Sequence, residues 1–494
     1  MKKYILIILC CLTSFPLWSY NVNMIVEHYS VDQGLPNNTV NCTLKDRDGF
    51  IWFGTWYGLC CFDGVKFKTF NKQEHDSDVP PRKIQRIVED KNGYIWVKTI
   101  DRKLYVFNKV TECFHAVYDD MKNYSENIQV IKLQNTAEGD VLLLTKDKNL
   151  LLAGVDEKGQ VTIKILFDSR DEINKHDYTL KHHVLCETEE YISWIGTDYK
   201  VSAVHKGAEL ASRPADFITS KINSGDKDSF TSFFEDGRKV WVGDRAGIFY
   251  SIDVRTGLVN RYVLSEIKGA ISNLLVTPAG YVYLSVAGQG TYEYDLAERR
   301  LQKINTEMND AMVTHAFIDQ YDKIWFHENE KALIYYDPLN HTAKRFPFTM
   351  FGKITTLYSE DAGERGLFFL SPAGEAWLFD REHAEMVYIN KLKQLSNDRA
   401  NQQFYHLMLD NDGVLWLSSA DEGVYCMNFP KKQFNLLSLS PQSAGQENYT
   451  IGVRALFQSK SGDIWVGTRW QSVYRMDRNG VTKHVFSTGD EHIG

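Results

Sequence analysis

The fold is decided by a stretch that occurs four times with little change: DRDGFIWFGT at 46–55, DKNGYIWVKT at 90–99, DNDGVLWLSS at 410–419 and SKSGDIWVGT at 459–468. Each copy places a short polar turn with glycine between two runs that are rich in apolar residues. Glycine accepts a positive φ in a tight turn, and an aspartate side chain can bond to backbone amides there. The stretch therefore predicts a β-hairpin whose second strand carries tryptophan.

Six weaker copies lie between the strong ones, so a large apolar marker recurs along the chain. The markers are Trp52, Trp96, Leu142, Trp194, Trp241, Tyr283, Trp325, Phe368, Trp416 and Trp465. Their intervals run from 42 residues (241 to 283) to 52 residues (142 to 194). Units of this length that divide into four short strands are typical of propeller blades. The runs have no 3.6-residue apolar period, which excludes helical repeats of similar length.

The signature residues are predicted to be structural, because large aromatic side chains in strands are usually buried and the turn recurs from blade to blade. This structural set is Asp46, Gly49, Trp52, Asp90, Gly93, Trp96, Trp194, Trp241, Trp325, Asp410, Gly413, Trp416, Gly462 and Trp465. We accordingly predict an all-β protein built from propeller blades.

The count of ten repeat units predicts how the chain divides into domains. Residues 25–29 resemble the fourth strand of a unit, and such a strand can close a ring by pairing with the first three strands of the last blade. We expect a seven-bladed propeller over 24–340, followed over 341–494 by the first three blades of a second, incomplete propeller. A single ring of nine or ten blades is the competing architecture.

The start of the chain predicts export. Lys2 and Lys3 precede an apolar run over 4–12 and a polar stretch up to Ser19, the pattern of a secretory signal peptide. We expect residues 1–20 to be removed and the remainder to be periplasmic. The apolar run is shorter than the roughly 20 residues of a spanning helix, and the chain has no later apolar stretch of 18 residues.

Composition and charge argue against several classes of protein and of partner. The 494 residues are 43% hydrophobic and 13% aromatic, which excludes disorder as the main state. The formal net charge of −8 becomes −10 without Lys2 and Lys3. A nucleic-acid partner is not expected, because phosphate binding needs a basic surface. The six cysteines after the signal segment lack C-x-x-C spacing, so we expect no metal site, and we expect no cofactor.

The repeats resemble the two-component regulator propeller motif, and YSVDQGLPNNTV at 29–40 resembles the start of the sensor half of Bacteroidetes hybrid two-component systems. The resemblance implies an oligosaccharide-sensing region of two seven-bladed propellers and a β-sandwich, then a membrane helix, a histidine kinase and a DNA-binding regulator. This chain lacks the later parts, so we expect it to be truncated. By itself it is expected to bind a glycan without turnover and not to be an enzyme.

Candidate ligand-binding residues lie in the turn after the second strand of a blade, because such turns converge on one face of a propeller. Aromatic planes beside polar or charged groups suit a sugar ring. The candidates are Trp56, Tyr57, Arg102, Tyr199, Arg245, Arg469 and Trp470. Two other functions stay open: a glycan-active enzyme with an acid pair such as Asp46 and Asp48, and a protein-interaction platform that includes a homodimer.

Overall fold

The computed structural model describes residues 24–70, 81–122, 129–146, 149–167, 180–187, 190–196, 200–206, 217–221, 230–304, 313–328, 331–351, 358–361, 366–371, 374–391, 404–428, 452–469, 472–477 and 482–487. Within these residues lie ten four-stranded antiparallel sheets. They divide into two compact units, Met1–Phe429 with nine sheets and Pro430–Gly494 with one. The all-β propeller architecture predicted by the repeat is confirmed.

Eight sheets of the first unit are up-and-down meanders of four consecutive strands, here called blades 1 to 8. Blade 1 has β2 (Val40–Lys45), β3 (Ile51–Thr55), β4 (Gly58–Phe62) and β5 (Phe67–Phe70). Blade 2 has β6 (Ile84–Glu89), β7 (Ile95–Thr99), β8 (Leu104–Asn108) and β9 (Cys113–Ala116). Blade 3 has β10 (Val130–Asn135), β11 (Val141–Thr145), β12 (Leu150–Val155) and β13 (Val161–Phe167). Blade 4 has β14 (Leu180–Glu187), β15 (Tyr191–Gly196), β16 (Lys200–His205) and β17 (Phe217–Lys221).

The same strand order continues in the second half of the ring. Blade 5 has β18 (Phe230–Glu235), β19 (Lys239–Asp244), β20 (Ile248–Asp253) and β21 (Val259–Val263). Blade 6 has β22 (Ile271–Val276), β23 (Tyr281–Val286), β24 (Gly290–Asp295) and β25 (Arg300–Lys303). Blade 7 has β26 (Val313–Ile318), β27 (Ile324–Glu328), β28 (Ala332–Asp337) and β29 (Thr342–Pro347). Blade 8 has β30 (Tyr358–Asp361), β31 (Leu367–Leu370), β32 (Glu375–Asp380) and β33 (Glu385–Lys391).

Blade 9 is assembled from both ends of the unit. It has β34 (Phe404–Leu409), β35 (Leu415–Ser419), β36 (Val424–Asn428) and, beside β36, the strand β1 (Ile25–Tyr29). The antiparallel register sets Glu27 opposite Cys426 and Tyr29 opposite Val424. The helical segments of this unit are short: 3-10 turns at Val31–Gln33 and Phe348–Phe351, and α1 at Tyr118–Met121.

The nine sheets form a closed ring. First strands of neighbouring blades contact one another, as in β2 with β6, β6 with β10, and β34 with β2, so these strands lie nearest the axis. Among the side chains that the structure describes, apolar clusters join eight of the nine blade pairs, including blades 9 and 1. Blades 3 and 4 are joined by the Lys206 ammonium, 2.9 Å from the Glu138 carboxylate.

The expected division into a seven-bladed ring over 24–340 and three further blades over 341–494 is not confirmed. As predicted, the N-terminal strand closes the ring by acting as the fourth strand of a blade. It pairs with β36 of blade 9, however, and not with β28 of blade 7. The physical reason is continued packing: blade 8 buries Phe369 and Phe379 against Trp325 of blade 7, and blade 9 packs on blade 8. The exposed edge that β1 covers is therefore that of the ninth sheet.

The second unit is one sheet of β37 (Val453–Gln458), β38 (Ile464–Thr468), β39 (Ser472–Met476) and β40 (Thr482–Ser487). Its small core buries Val466, Tyr474 and Met476. The first strand β37 is exposed along its length, and Leu456 and Phe457 have 69% and 66% of their surface open. In the ring, the corresponding first strands are covered by the neighbouring blades.

The signature aspartate connects three parts of the structure. Asp90 Oδ1 accepts hydrogen bonds from the Asn92 and Tyr94 amides at 2.9 and 3.0 Å, and Asp90 Oδ2 accepts one from the buried Trp96 Nε1 at 2.8 Å. The same carboxylate accepts the Val155 amide of blade 3 at 3.3 Å. It thereby fixes its own turn, its own tryptophan and the next blade, because one carboxylate offers several acceptor sites.

This arrangement recurs at other blades. The indole groups of Trp52, Trp325 and Trp416 donate to Asp46, Asp319 and Asp410 at 2.8, 3.3 and 3.1 Å. Trp241 donates to Asp236 at 2.7 Å. The turn glycines have the expected positive φ: Gly49 92°, Gly93 88°, Gly413 77° and Gly462 87°. Trp465 of the second unit differs, because it is only half-buried and stacks on Phe486. The side chain of Trp194 lies outside the described residues.

Candidate functional site

Backbone hydrogen bonds gather several candidate residues on one face of blades 1 and 2. The Lys83 amide donates to the Trp56 carbonyl at 2.9 Å, and the Ile100 amide donates to the Lys83 carbonyl at 2.9 Å. Arg102 follows two residues later in the same turn of blade 2. We call the surface formed by Trp56, Tyr57, Lys83, Ile100 and Arg102 the blade 1–2 surface.

Two aromatic rings of the blade 1–2 surface are open to solvent: Trp56 is 41% exposed and Tyr57 64% exposed. The preceding Thr55 fixes them, because its Oγ1 accepts from the Tyr57 amide at 3.1 Å and donates to the Gly58 carbonyl at 2.8 Å. Gly58 has φ 131°, a backbone conformation that favours glycine. The Lys83 ammonium lies 5.4 Å from the centroid of the Trp56 ring, within cation–π range.

The other predicted ligand residues lie elsewhere. Arg245 is exposed in the corresponding turn of blade 5, where Asp244 Oδ1 accepts from the Ala246 and Ile248 amides at 2.9 and 2.8 Å. Arg469 belongs to the second unit, and its amide donates to the Gly452 carbonyl at 2.8 Å. Tyr199 and Trp470 lie outside the described residues. The backbone contacts thus place the turns that carry Trp56, Tyr57 and Arg102 on one face, where the Arg102 carbonyl also accepts from the Val130 amide of blade 3 at 2.9 Å.

Two cations beside this surface were not predicted from the sequence. Arg86 of β6 and Lys98 of β7 are direct cross-strand partners. Arg86 is exposed, whereas Lys98 has only 6% of its surface open and its ammonium donates to the Ile131 carbonyl of blade 3. Burial, together with the charges of Arg102 and Arg86, lowers the pKa of Lys98 to about 8.

Among the described strand pairs, blade 2 is the one that sets two basic side chains, an arginine and a lysine, opposite each other at this register, where blade 7 has His315 opposite His327. In blade 2 a bulge follows Ile84, the first residue of β6. Arg86, which comes after the bulge, therefore pairs with Lys98, the next-to-last residue of β7. The same register elsewhere pairs Cys42 with Gly54, Ser232 with Gly243, Asn273 with Ser285, and His406 with Ser418. The available sequence signal was Lys98, which stands where two other strong copies of the repeat have Gly54 and Gly467.

The depressed pKa of Lys98 predicts a pH-dependent contribution to stability. Above about pH 8 the folded chain releases this proton, whereas the unfolded chain keeps it until about pH 10.4. The unfolded state then binds more protons, so stability rises with pH. Relative to Lys98→Met, we expect the wild type to gain about 2 kcal/mol in the free energy of unfolding between pH 7 and 10, measured with urea. The exposed Lys103→Met should show no such trend, and a pH-independent difference for Lys98→Met would contradict the assignment.

A group of three carboxylates resembles a metal site but already holds a cation. Asp46, Asp48 and Glu89 offer oxygens close to one another. The Lys109 ammonium lies 3.1, 2.7 and 2.8 Å from them, and these hydrogen bonds, working against its burial, raise the pKa of Lys109. The group is therefore a salt-bridged contact between blades 1 and 2.

The carboxylate pair Asp46 and Asp48, and the equivalent pair Asp410 and Asp412 of blade 9, are held in turns. Asp46 Oδ1 accepts from the amides of Asp48 and Phe50 at 3.0 and 2.9 Å. Asp410 Oδ1 accepts from Asp412 at 2.9 Å and from Val414 at 3.0 Å. An acid that is already engaged by its own turn is a poor proton shuttle, so the geometry of these pairs does not favour glycoside chemistry.

A cavity of about 440 Å³ lies between the outer strands of blades 2 and 3. It is lined by Tyr94, Cys113, His115, Asp120 and Gln160, among others. The polar pair inside it is already formed, since His115 Nε2 lies 2.7 Å from Asp120 Oδ2. This cavity is separate from the blade 1–2 surface and offers it no ligand group.

Among the residues for which coordinates are described, no helix is long and apolar enough to cross a bilayer. The predicted signal segment, residues 1–20, lies outside those residues. Its role as an export signal stays a prediction.

Comparison with solved structures finds similar β-rich folds. The chain is similar to two proteins described as extracellular domains of putative hybrid two component systems from B. thetaiotaomicron. The match to BT3049 has 15% identity and a TM-score of 0.32, and it covers 94% of this chain and 67% of that chain. The match to BT4673 has 14% identity and a TM-score of 0.30, and it covers 90% of this chain and 73% of that chain. A second BT4673 structure, described as a one component system, matches at 18% identity and TM-score 0.30, and the chain spans 61% of its length. The Dos1 propeller matches at 12% identity, 81% of this chain, 93% of that chain and TM-score 0.44.

No curated protein matches the chain. Among protein families, the model described as two component regulator propeller matches residues 34–57. That segment contains the first copy of the signature, DRDGFIWFGT, and ends with the exposed Trp56 and Tyr57. Residues 34–57 are therefore similar to a two component regulator propeller repeat, and the other strong copies share the signature of that segment.

Proposed function

We propose that this chain is the ligand-sensing portion of a two-component signalling system, placed outside the cytoplasm, and that it binds an oligosaccharide without turnover. The observation that carries the proposal is the pair of exposed rings of Trp56 and Tyr57, with Lys83 over the Trp56 ring and Arg102 in the adjoining turn of blade 2. Sugar rings have apolar C–H faces and hydroxyl edges, so an aromatic plane with adjacent polar donors suits them. The family match and the predicted export signal support a sensing role.

The binding mode follows from the groups present. The Trp56 ring offers a rigid apolar face, and Lys83, which lies over one side of that ring, offers donors to hydroxyl oxygens. Tyr57 adds a second ring whose hydroxyl can both donate and accept. Because Thr55 and Gly58 fix the turn, little conformational entropy is lost when a ligand binds.

Trp56→Ala is expected to weaken saccharide binding at least tenfold, since stacking and buried ring area contribute on the order of 1.4 kcal/mol or more. The measurement is isothermal titration calorimetry against saccharides selected from an oligosaccharide array. Tyr118→Ala is a matched control, because Tyr118 is 54% exposed and also carries a lysine over its ring, Lys122 at 5.3 Å. Equal loss in both variants would contradict the proposed site, and release of cleaved product would favour the enzyme.

The exposed strand β37 favours a second candidate function, contact with another protein chain such as a second copy. Leu456 and Phe457 present apolar surface of the kind that neighbouring blades cover in the ring. The array experiment separates the two functions: saturable saccharide binding supports the sensor. Dimers in light scattering, with no saccharide bound, support the interaction platform.

A further inference from the structure

Three cations of blade 2 lie near one another, and one of them, Arg102, is in the turn whose Ile100 amide donates to the Lys83 carbonyl. Arg86 and Lys98 face each other across β6 and β7, and the charges of Arg102 and Arg86 both act on Lys98. We call Arg86, Lys98 and Arg102 the cation cluster. Arg102 also belongs to the blade 1–2 surface, so the cluster and the surface are continuous.

The cation cluster has no partner acid among the residues that the structure describes. The Lys98 ammonium donates to the Ile131 carbonyl and has no carboxylate partner, and the side chains of Arg86 and Arg102 make neither an ion pair nor a hydrogen bond with those residues. The adjacent Asp101 carboxylate is engaged with Thr99 and with the Lys103 ammonium at 3.4 Å.

Two other cations at blade contacts, Lys109 and Arg381, have carboxylate partners. Lys109 contacts three carboxylates, and the Arg381 guanidinium lies 2.5 Å from Asp319 and 2.7 Å from Asp361. The whole chain has 64 acidic and 56 basic residues, so acids are not scarce. Within the described part of the chain, the cation cluster of blade 2 thus differs from these two paired contacts.

Like charges that face each other across two strands destabilise a sheet, and a buried ammonium adds a desolvation cost. An anion placed between these groups would reverse both effects, because it converts repulsion into charge-assisted hydrogen bonds. Arginine is suited to this role, since its planar guanidinium matches a carboxylate or a sulfate in bidentate geometry.

We infer that the oligosaccharide bound at the blade 1–2 surface is acidic, and that the cation cluster binds its carboxylate or sulfate group. This inference rests on the proposed function. Trp56 and Tyr57 would contact the sugar rings, and Arg86 and Arg102 would contact the acidic substituent, with Lys98 supplying further positive charge.

The test uses matched probes that differ only in charge. Calorimetry compares oligogalacturonates with their fully methyl-esterified forms, and carrageenan oligosaccharides with their desulfated forms, beside a panel of neutral plant and fungal oligosaccharides. We expect an acidic member to bind saturably, its uncharged twin to bind at least tenfold more weakly, and added salt to weaken the acidic complex.

Substitutions of Arg86 and Arg102 test whether their positive charge is needed for binding, apart from any effect on folding. Arg86→Gln and Arg102→Gln should each weaken the acidic probe at least tenfold, and Arg86→Lys should restore part of the affinity. Arg238→Gln is the control, because Arg238 is an exposed arginine in the hairpin turn of blade 5, outside the blade 1–2 surface, and its loss should leave binding within twofold. Circular dichroism melting of each variant checks that the ring remains folded.

Each outcome decides between distinct claims. Binding of neutral members only, abolished by Trp56→Ala, would overturn the acidic ligand and leave the sensor standing. Binding of polyphosphate that depends on Arg86 but not on Trp56 would replace the saccharide with a general anion. Binding of no saccharide, acidic or neutral, would contradict the sensor itself.

Discussion

Trp96→Ala is expected to lower the free energy of unfolding of the ring by about 3–5 kcal/mol. Trp96 is fully buried in the cluster between blades 2 and 3, and its indole donates to Asp90. The substitution leaves a cavity and removes one partner from a buried carboxylate, and both effects destabilise the folded state. Urea unfolding followed by tryptophan fluorescence and circular dichroism measures the change.

The control is Trp56→Ala in the same assay. Trp56 is 41% exposed and lies in a turn, so its loss should change the free energy of unfolding by less than about 1 kcal/mol. We therefore expect Trp96 to matter for stability and Trp56 to matter for ligand binding. A similar cost for both would mean that the assignment of structural and exposed positions is wrong.

Removal of β1 has the second large expected effect. A chain that begins at Ser30 loses the five paired positions of β1 with β36 and the stacking of His28 on Tyr425, whose ring centroids are 4.6 Å apart. We expect a loss of about 5 kcal/mol, at roughly 1 kcal/mol for each backbone hydrogen bond. The uncovered edge of β36 should also promote self-association. Urea unfolding and light scattering measure these two effects.

Complementation supplies the control for this deletion. A synthetic peptide of residues 24–30, added in excess, should dock on β36, recover the stability and suppress the self-association. A scrambled peptide of the same composition should do neither. If the deleted chain were as stable and as monodisperse as the wild type, β1 would not be closing the ring.

The sequence predicts the blade well but not the closure of the ring. Turn chemistry and strand alternation are local, so DRDGFIWFGT at 46–55 and its copies predict the hairpins and their period. The partner of β1 is not local, because Ile25 pairs with Asn428 at the far end of the first unit. Which edge is covered depends on how many sheets pack before the ring closes, and no single repeat encodes that number.

The candidate site was likewise predicted from the sequence only in part. Trp56, Tyr57 and Arg102 were predicted from their place in the turns, and the structure brings them to one surface. Arg86 was missed because a bulge after Ile84 sets its register against Lys98, and no sequence pattern reveals the bulge. The hydrogen bond from the indole to the signature aspartate was also missed, since its partners lie six residues apart across a hairpin.

The central claim, that the chain closes a nine-bladed ring by pairing β1 with β36, is tested most directly by a cross-link. Glu27 lies opposite the native Cys426, and paired residues of adjacent strands lie within disulfide reach. We predict that Glu27→Cys forms an intramolecular disulfide with Cys426 under mild oxidation, identified by mass spectrometry of the linked peptides. In a seven-bladed ring the corresponding partner would be Tyr335, which faces Trp325 as Cys426 faces Trp416. A Glu27→Cys, Tyr335→Cys chain that links residues 27 and 335, and leaves Cys426 reduced, would contradict the account.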